Sequence, residues 1–142
     1  MLLLATTADA HCNSLKLITE PCPELDQKDR IMEALGLGNP IPWVDEETLA
    51  RYYEYLSAKL SFPFAAYYPE PIKPQEEEEF RCTVLELLDP TKHLGDGFDG
   101  IFSKTNKGKY EINLPLIELE VPDDSPNFQF IKDYWCWFCN WR

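Results

Sequence analysis

Gly95–Asp124 reads GDGFDGIFSKTNKGKYEINLPLIELEVPDD, and the fold class turns on this stretch. Asp96-Gly97 and Asp99-Gly100 place two carboxylates where glycine permits a tight turn. The chain continues as Ile101-Phe102-Ser103, reverses through Thr105-Asn106-Lys107-Gly108 and returns from Tyr110 to Leu114. An Asn and a Gly in a short polar loop between two apolar runs predict a hairpin. Ile117 to Val121 then alternates: Ile117, Leu119 and Val121 share one strand face, Glu118 and Glu120 the other. Asp123-Asp124 follows at once. Carboxylates thus stand at the entrance of one hairpin unit, on its outer face and just past its end. Convergent carboxylates on a rigid sheet suit a hard divalent cation such as Ca²⁺, which takes about six to eight oxygen ligands.

Outward from this unit, the order of elements is helices, short strands, then a closing helix. Leu25 to Leu37 carries a brief amphipathic pattern on Leu25, Ile31, Met32 and Leu35, with Asp26 as N-cap and Gly36 and Gly38 beyond. Asn39-Pro40-Ile41-Pro42 is a rigid connector. Asp45 is placed to cap the next helix, where Glu46 and Glu47 complement the helix dipole. Leu49, Tyr52, Tyr53, Leu56 and Leu60 then form one buried stripe. Pro63 stops it. Phe64 to Tyr68 reads as an edge strand, Pro69 to Pro74 as a crossing, Gln75 to Glu79 as a solvated acidic run, and Phe80 to Leu88 as a strand. Ser125-Pro126 reads as N-cap and first turn of a last helix, with Phe128, Ile131, Trp135 and Phe138 inward and Tyr134, Trp137 and Trp141 widening the stripe. The expected class is α+β: a small bent antiparallel sheet or SH3-like barrel, preceded by helices and closed by a C-terminal helix. One domain is expected over 1–142, with 1–24 loosely ordered, 25–62 helical, 64–121 β and 125–140 helical.

The charge narrows the function. A net charge of −12 repels nucleic acid and anionic membranes and attracts cations or a partner with a basic surface. No apolar run reaches the roughly 18 residues of a membrane helix, and the opening Met1-Leu2-Leu3-Leu4-Ala5 lacks the basic flank of a signal peptide. Five cysteines, an odd and sparse set, favour reduced thiols in a cytoplasm. His11, Cys12 and Cys22 fit no compact zinc spacing. Cys136-Trp137-Phe138-Cys139 has the C-x-x-C form but falls near a helix C-terminus, where the dipole opposes a reactive thiolate. His11 and His93 are the only histidines, and no nucleophile motif or phosphate loop accompanies them, so an enzyme is not expected.

The metal candidates are Asp96 and Asp99 first, then Glu118, Glu120, Asp123 and Asp124, with Asp45 and Glu46 for a second site. The bland readings stand beside them. Asp-Gly pairs also simply make turns, Glu118 and Glu120 also simply face water, and both acidic pairs at helix starts also simply cap. An EF-hand is excluded: counted from Asp96, the twelfth position is Lys107 where a glutamate is needed.

Two stretches carry a resemblance. Trp43-Val44-Asp45-Glu46-Glu47-Thr48-Leu49, Tyr53-Glu54-Tyr55-Leu56 and Leu60-Ser61-Phe62-Pro63-Phe64 form the first. Gly100-Ile101, Leu114-Pro115-Leu116-Ile117-Glu118-Leu119-Glu120, Asp124-Ser125-Pro126-Asn127, Asp133-Tyr134 and Trp137-Phe138-Cys139-Asn140 form the second. Together they resemble the cyanobacterial calcium-binding protein (CcbP-type) family over roughly residues 43–142. The resemblance implies a cytoplasmic Ca²⁺ buffer that binds through acidic clusters without EF-hands, a link to heterocyst differentiation, and an SH3-like β part. It assigns no ligand. The alternative is an acidic interaction module that docks a basic partner, with cations incidental.

Overall fold

The computed structural model describes residues 25–73, 76–92 and 99–142. Residues 1–24, with His11, Cys12 and Cys22, lie outside the described residues, as does Asp96. Helix α1 is Leu25–Leu35, α2 is Glu46–Lys59 and α3 is Phe128–Asn140. Strands β1 (Phe64–Lys73), β2 (Glu76–Leu87), β3 (Phe102–Lys107) and β4 (Tyr110–Pro115) form one antiparallel sheet in the order β1-β2-β3-β4. The class is α+β, and the sheet is the open, bent one of the two expected forms. One isolated bridge, Tyr67 with Glu120, brings the chain after β4 back to β1.

Local chemistry accounts for most of these elements. In α1, Gln27, Ile31, Ala34 and Leu35 are buried, and Gly36 leaves the helix at φ +67°. Asp26 lies in its first turn rather than capping it. Asp45 caps α2 in a reciprocal box: the Thr48 N–H donates to Asp45 Oδ1 at 2.8 Å, and the Asp45 N–H donates to Thr48 Oγ1 at 2.8 Å. The hairpin turns two residues later than the sequence predicts. Thr105, Asn106 and Lys107 belong to β3, and Gly108-Lys109 alone makes the loop, with Gly108 at φ +63°.

Other elements depart from expectation for identifiable reasons. The described parts of the proline-rich crossing and the acidic run, 69–73 and 76–79, are strand instead: Pro69 pairs with Glu79, and Pro71 with Glu77. β1 is an edge strand, which tolerates residues that lack an N–H. Leu116–Glu118 is a 3-10 turn and not a strand. Leu116 and Ile117 are buried in succession, and the Leu116 N–H donates to Ile101 O at 2.8 Å, so the regular alternation breaks there. α3 begins after Asn127 rather than at Ser125. The Asn127 side chain is spent on a tertiary clamp: it accepts from the Ser61 N–H at 2.8 Å and donates to Ser61 O at 3.0 Å.

The buried side of α3 is wider than one stripe. Asp133 through Phe138 are buried without interruption, and Tyr134 and Trp137 are more deeply buried than Trp135. A helix covered nearly all round is the centre of its domain. Tyr52 of α2 stacks on Trp137 at 5.0 Å and meets Tyr134 edge-on at 5.3 Å. The Trp137 Nε1–H donates to Pro42 O at 3.0 Å, and the Val44 N–H donates to Trp141 O at 2.7 Å. Cys136 and Cys139 are disulfide-bonded, where the sequence predicts reduced thiols, and Cys82 is a buried free thiol. No helix among the described residues is long and apolar enough to cross a membrane.

A buried charge ties α1 to α3. Asp133 receives Arg30 Nε at 2.7 Å on Oδ2, and Arg30 Nη2 at 3.2 Å, Gln27 Nε2 at 3.0 Å and Gln129 Nε2 at 2.8 Å on Oδ1. Removing Asp133 leaves the buried Gln27 amide without its acceptor and takes the ion-pair partner from the part-exposed Arg30. Asp133→Ala is expected to cost about 3 kcal/mol in urea unfolding. A loss below about 1 kcal/mol would show that α1 docks on apolar contacts alone.

Candidate metal centre

The turn Asp99-Gly100-Ile101 is pressed against α3. Gly100 has φ +72°, and a Cβ built there would lie on the Tyr134 hydroxyl and 2.8 and 3.0 Å from Phe138 ring atoms. Only glycine fits both the backbone and the space. Tyr134 is fully buried, and its hydroxyl accepts the Ile101 N–H at 2.9 Å. Burial pushes the Tyr134 phenol well above its ordinary range; the Ile101 hydrogen bond and the Arg142 charge oppose this, and the Asp99 charge adds to it. Arg142 lies over the Phe138 ring at 4.6 Å. Asp99 therefore sits beside the C-terminal half of α3, the negative end of its dipole.

The second carboxylate arrives from the other side of the same backbone contact. The hydrogen bond from the Leu116 N–H to Ile101 O fixes the 3-10 turn against the Asp99 turn. Glu118, at the end of that 3-10 turn, is half-buried, and its carboxyl is raised above the usual range by desolvation first and by the Asp99 charge second. Asp99 and Glu118 are thus two partly desolvated carboxylates that repel each other across turns locked by the core.

The other candidates separate. Glu120 is held by its backbone to Tyr67, N–H to O and O to N–H, both at 2.8 Å, and leaves the regular strand face expected to align it with Glu118. Asp123 and Asp124 are exposed in the turn before α3. Asp45 spends Oδ1 on Thr48, and Glu46 is exposed beside it in the first turn of α2. Asp96, the leading candidate with Asp99, lies outside the described residues. Among the described residues, no group of three or more His, Cys, Asp or Glu gathers as a ready metal site. Sequence reasoning missed Tyr134 and Gly100 as the pieces that aim Asp99. The signal was present in Gly100 itself, a glycine directly after a carboxylate and before a buried strand.

The donor set fits Ca²⁺ in kind. Asp99 and Glu118 offer hard oxygens and negative charge, the donor type a divalent cation such as Ca²⁺ takes. They would be two of the carboxylates in a shell of about six to eight oxygens, with carbonyls and water the usual complement.

The chain matches a family described as calcium binding, of the CcbP type, over residues 43–138. It belongs to the CcbP-type calcium-binding family. Two solved structures share its fold. "The crystal structure of Anabaena CcbP" superposes with a TM-score of 0.61 at 22% identity, covering 82% of this chain and 91% of that one. "Calcium binding protein in the calcium-binding form" gives a TM-score of 0.60 at 22% identity, covering 81% and 90%. No curated protein matches.

Two outcomes follow from the turn. Gly100→Ala forces a strained φ and a collision with Tyr134 and Phe138, for an expected loss of about 3 kcal/mol in denaturant unfolding. A neutral result would mean that the turn is not packed on α3. The raised Glu118 carboxyl binds its proton more readily in the folded chain than in the unfolded one. Its contribution therefore opposes folding above the raised value and is relieved as pH falls through it. Glu118→Gln is expected to raise the cation-free Tm at about pH 7 and to bring little change at about pH 4. Equal shifts at both pH values would remove charge as the cause.

Proposed function

We propose that this chain takes up Ca²⁺ at a site founded on Asp99 and Glu118, acting as a non-EF-hand, non-catalytic calcium buffer. One observation carries the reading: half-buried Asp99 and Glu118 lie on turns fixed by the Gly100–Tyr134 contact and the Leu116–Ile101 hydrogen bond, near enough for the Asp99 charge to act on Glu118. Membership of a calcium-binding family and the fold shared with a calcium-binding form support it. Asp96, three residues before Asp99, is the next ligand in this proposal, with Glu120, Asp123 and Asp124 around the rim. Asp45 and Glu46 form the acidic entrance to a second site at the start of α2.

A buffer needs sites that fill without large rearrangement, and the core holds this pair in place before any cation arrives. Ca²⁺ then stabilises the chain by linkage, about 2.7 kcal/mol at a hundredfold excess over Kd. A role in heterocyst differentiation, which the family resemblance implies, is the biological setting of this proposal. The proposed compartment is the cytoplasm, although the disulfides at Cys136 and Cys139 suit an oxidising one better.

Calorimetric titration of chelator-stripped protein with Ca²⁺, in about 0.15 M salt with excess Mg²⁺, tests the reading. Saturable binding is expected, weakened at least about tenfold in both Asp99→Asn and Glu118→Gln. If saturable binding persists unchanged in both variants, the site lies elsewhere. If no saturable heat appears, the acidity is diffuse, and the acidic module that docks a basic partner takes its place.

A further inference from the structure

The two large aromatic side chains exposed among the described residues, Trp43 and Tyr110, have opposite electrostatic settings. Trp43 is 64% exposed at the entrance to α2, beside Asp45, Glu46 and Glu47, all exposed. Tyr110 is 66% exposed at the tip of the β3–β4 hairpin. There an open groove is lined by Phe80, Arg81, Lys107, Lys109, Tyr110 and Ile112. Lys107 Nζ lies over the Phe80 ring at 4.0 Å and Lys109 Nζ lies 5.9 Å from the Tyr110 ring centre, so cations and rings are already interleaved. In a chain of net charge −12, this hairpin tip is a local reversal of sign.

The two patches lie at opposite ends of β3. Trp43 belongs to the connector that bonds to Trp137 and Trp141, next to the Phe138 face on which Gly100 packs. Phe102 starts β3 at that end, and Lys107 ends it about 17 Å away, from five steps of about 3.3 Å. A rigid chain therefore does not dock its own Trp43 in its own groove. A second copy does. We propose that the Trp43-Val44-Asp45-Glu46-Glu47 knob of one copy docks in the Phe80–Arg81–Lys107–Lys109–Tyr110 groove of another. The indole stacks between rings and cations, and the carboxylates face Arg81 and Lys109. Such a contact is head-to-tail and heterologous, so it builds short open chains rather than a closed dimer.

The net charge sets the conditions. Two copies at −12 repel through their overall fields, and that repulsion is largely screened at about 0.15 M salt, where the Debye length is about 8 Å. Contact pairs in the groove survive that screening and weaken at about 1 M.

Sedimentation velocity of the full chain, chelator-stripped so that no cation competes at Glu46, tests the proposal. The concentration is raised to about 1 mM, because so small a contact falls in the weak class. Wild type is expected to associate in a concentration-dependent way. Glu46→Lys with Glu47→Lys, and separately Arg81→Glu with Lys109→Glu, are each expected to weaken association at least about tenfold. Mixing these two variants pairs a basic knob with an acidic groove and is expected to restore association to within about threefold of wild type. Recovery in the mixture also shows that both variants fold. A wild type monomeric throughout, association indifferent to the reversals, or a mixture that stays monomeric each overturns the proposal. A monomeric wild type that binds a fluorescent peptide Trp-Glu-Glu-Glu overturns it too, and assigns the groove to an acidic segment of another protein.

Discussion

A helix that is apolar on nearly every side has to be covered on every side, and α3 imposes that requirement on the whole chain. Each other part meets it in a distinct way. α1 brings Gln27 and Arg30 to the buried Asp133 carboxylate, and α2 brings Tyr52 against Trp137 and Tyr134. The connector gives the Pro42 carbonyl to the Trp137 indole and the Val44 N–H to the Trp141 carbonyl. The fourth side is closed by the turn at Gly100. A buried aromatic helix with polar tips on its rings thus dictates where backbone from four places in the sequence must come to rest.

The acid pair is a by-product of that closure. Tyr134 is fully buried, and an unsatisfied buried hydroxyl costs about 1–3 kcal/mol, so its bond to the Ile101 N–H matters to the core as much as to the turn. That bond drags Asp99 to the surface of α3. The bond between Leu116 and Ile101 brings Glu118 up from the other side. For Glu118, desolvation first and the Asp99 charge second oppose the ionised form. Apolar packing fixes the two turns, and a cation bound there, as proposed, would ease the charge of Asp99 on Glu118.

The stretches that carry family membership hold candidate ligands (Asp45, Glu46, Glu118, Glu120 and Asp124) and, in greater number, residues of the core. The segments that carry it include Tyr52 to Leu60 with the F-P-F that follows, and Ser125 through Asn140. In the structure these are the interface between α2 and α3 and the Asn127 clamp on Ser61. They are packing residues, and the fold they build is shared with the Anabaena structure at 22% identity. Ligands in loops answer to other constraints, because loops tolerate change where cores do not.

The sequence by itself determined the elements whose causes are local. Asp45 and Thr48 form their capping box within four residues, the Leu49-Tyr52-Leu56 stripe follows from helical period, and glycine marks the exits at Gly36 and the reversal at Gly108. The class α+β and the importance of the Asp99-Gly100 turn follow from the same short-range logic. Tertiary structure decided everything that depends on a distant partner. Pro69 and Pro71 lie in a strand because β1 is an edge, which no window of sequence reveals. Ile117 to Val121 alternates like a strand, yet Leu116 must reach Ile101, and that bond winds the start of the segment into a 3-10 turn. Ser125-Pro126 has the chemistry of a helix start, but Asn127 is claimed by Ser61, 66 residues away, and α3 begins beyond it. The pairing of Asp99 with Glu118 is of this second kind. Turn chemistry places each carboxylate near a bend, and only the packing of α3 decides which two bends meet.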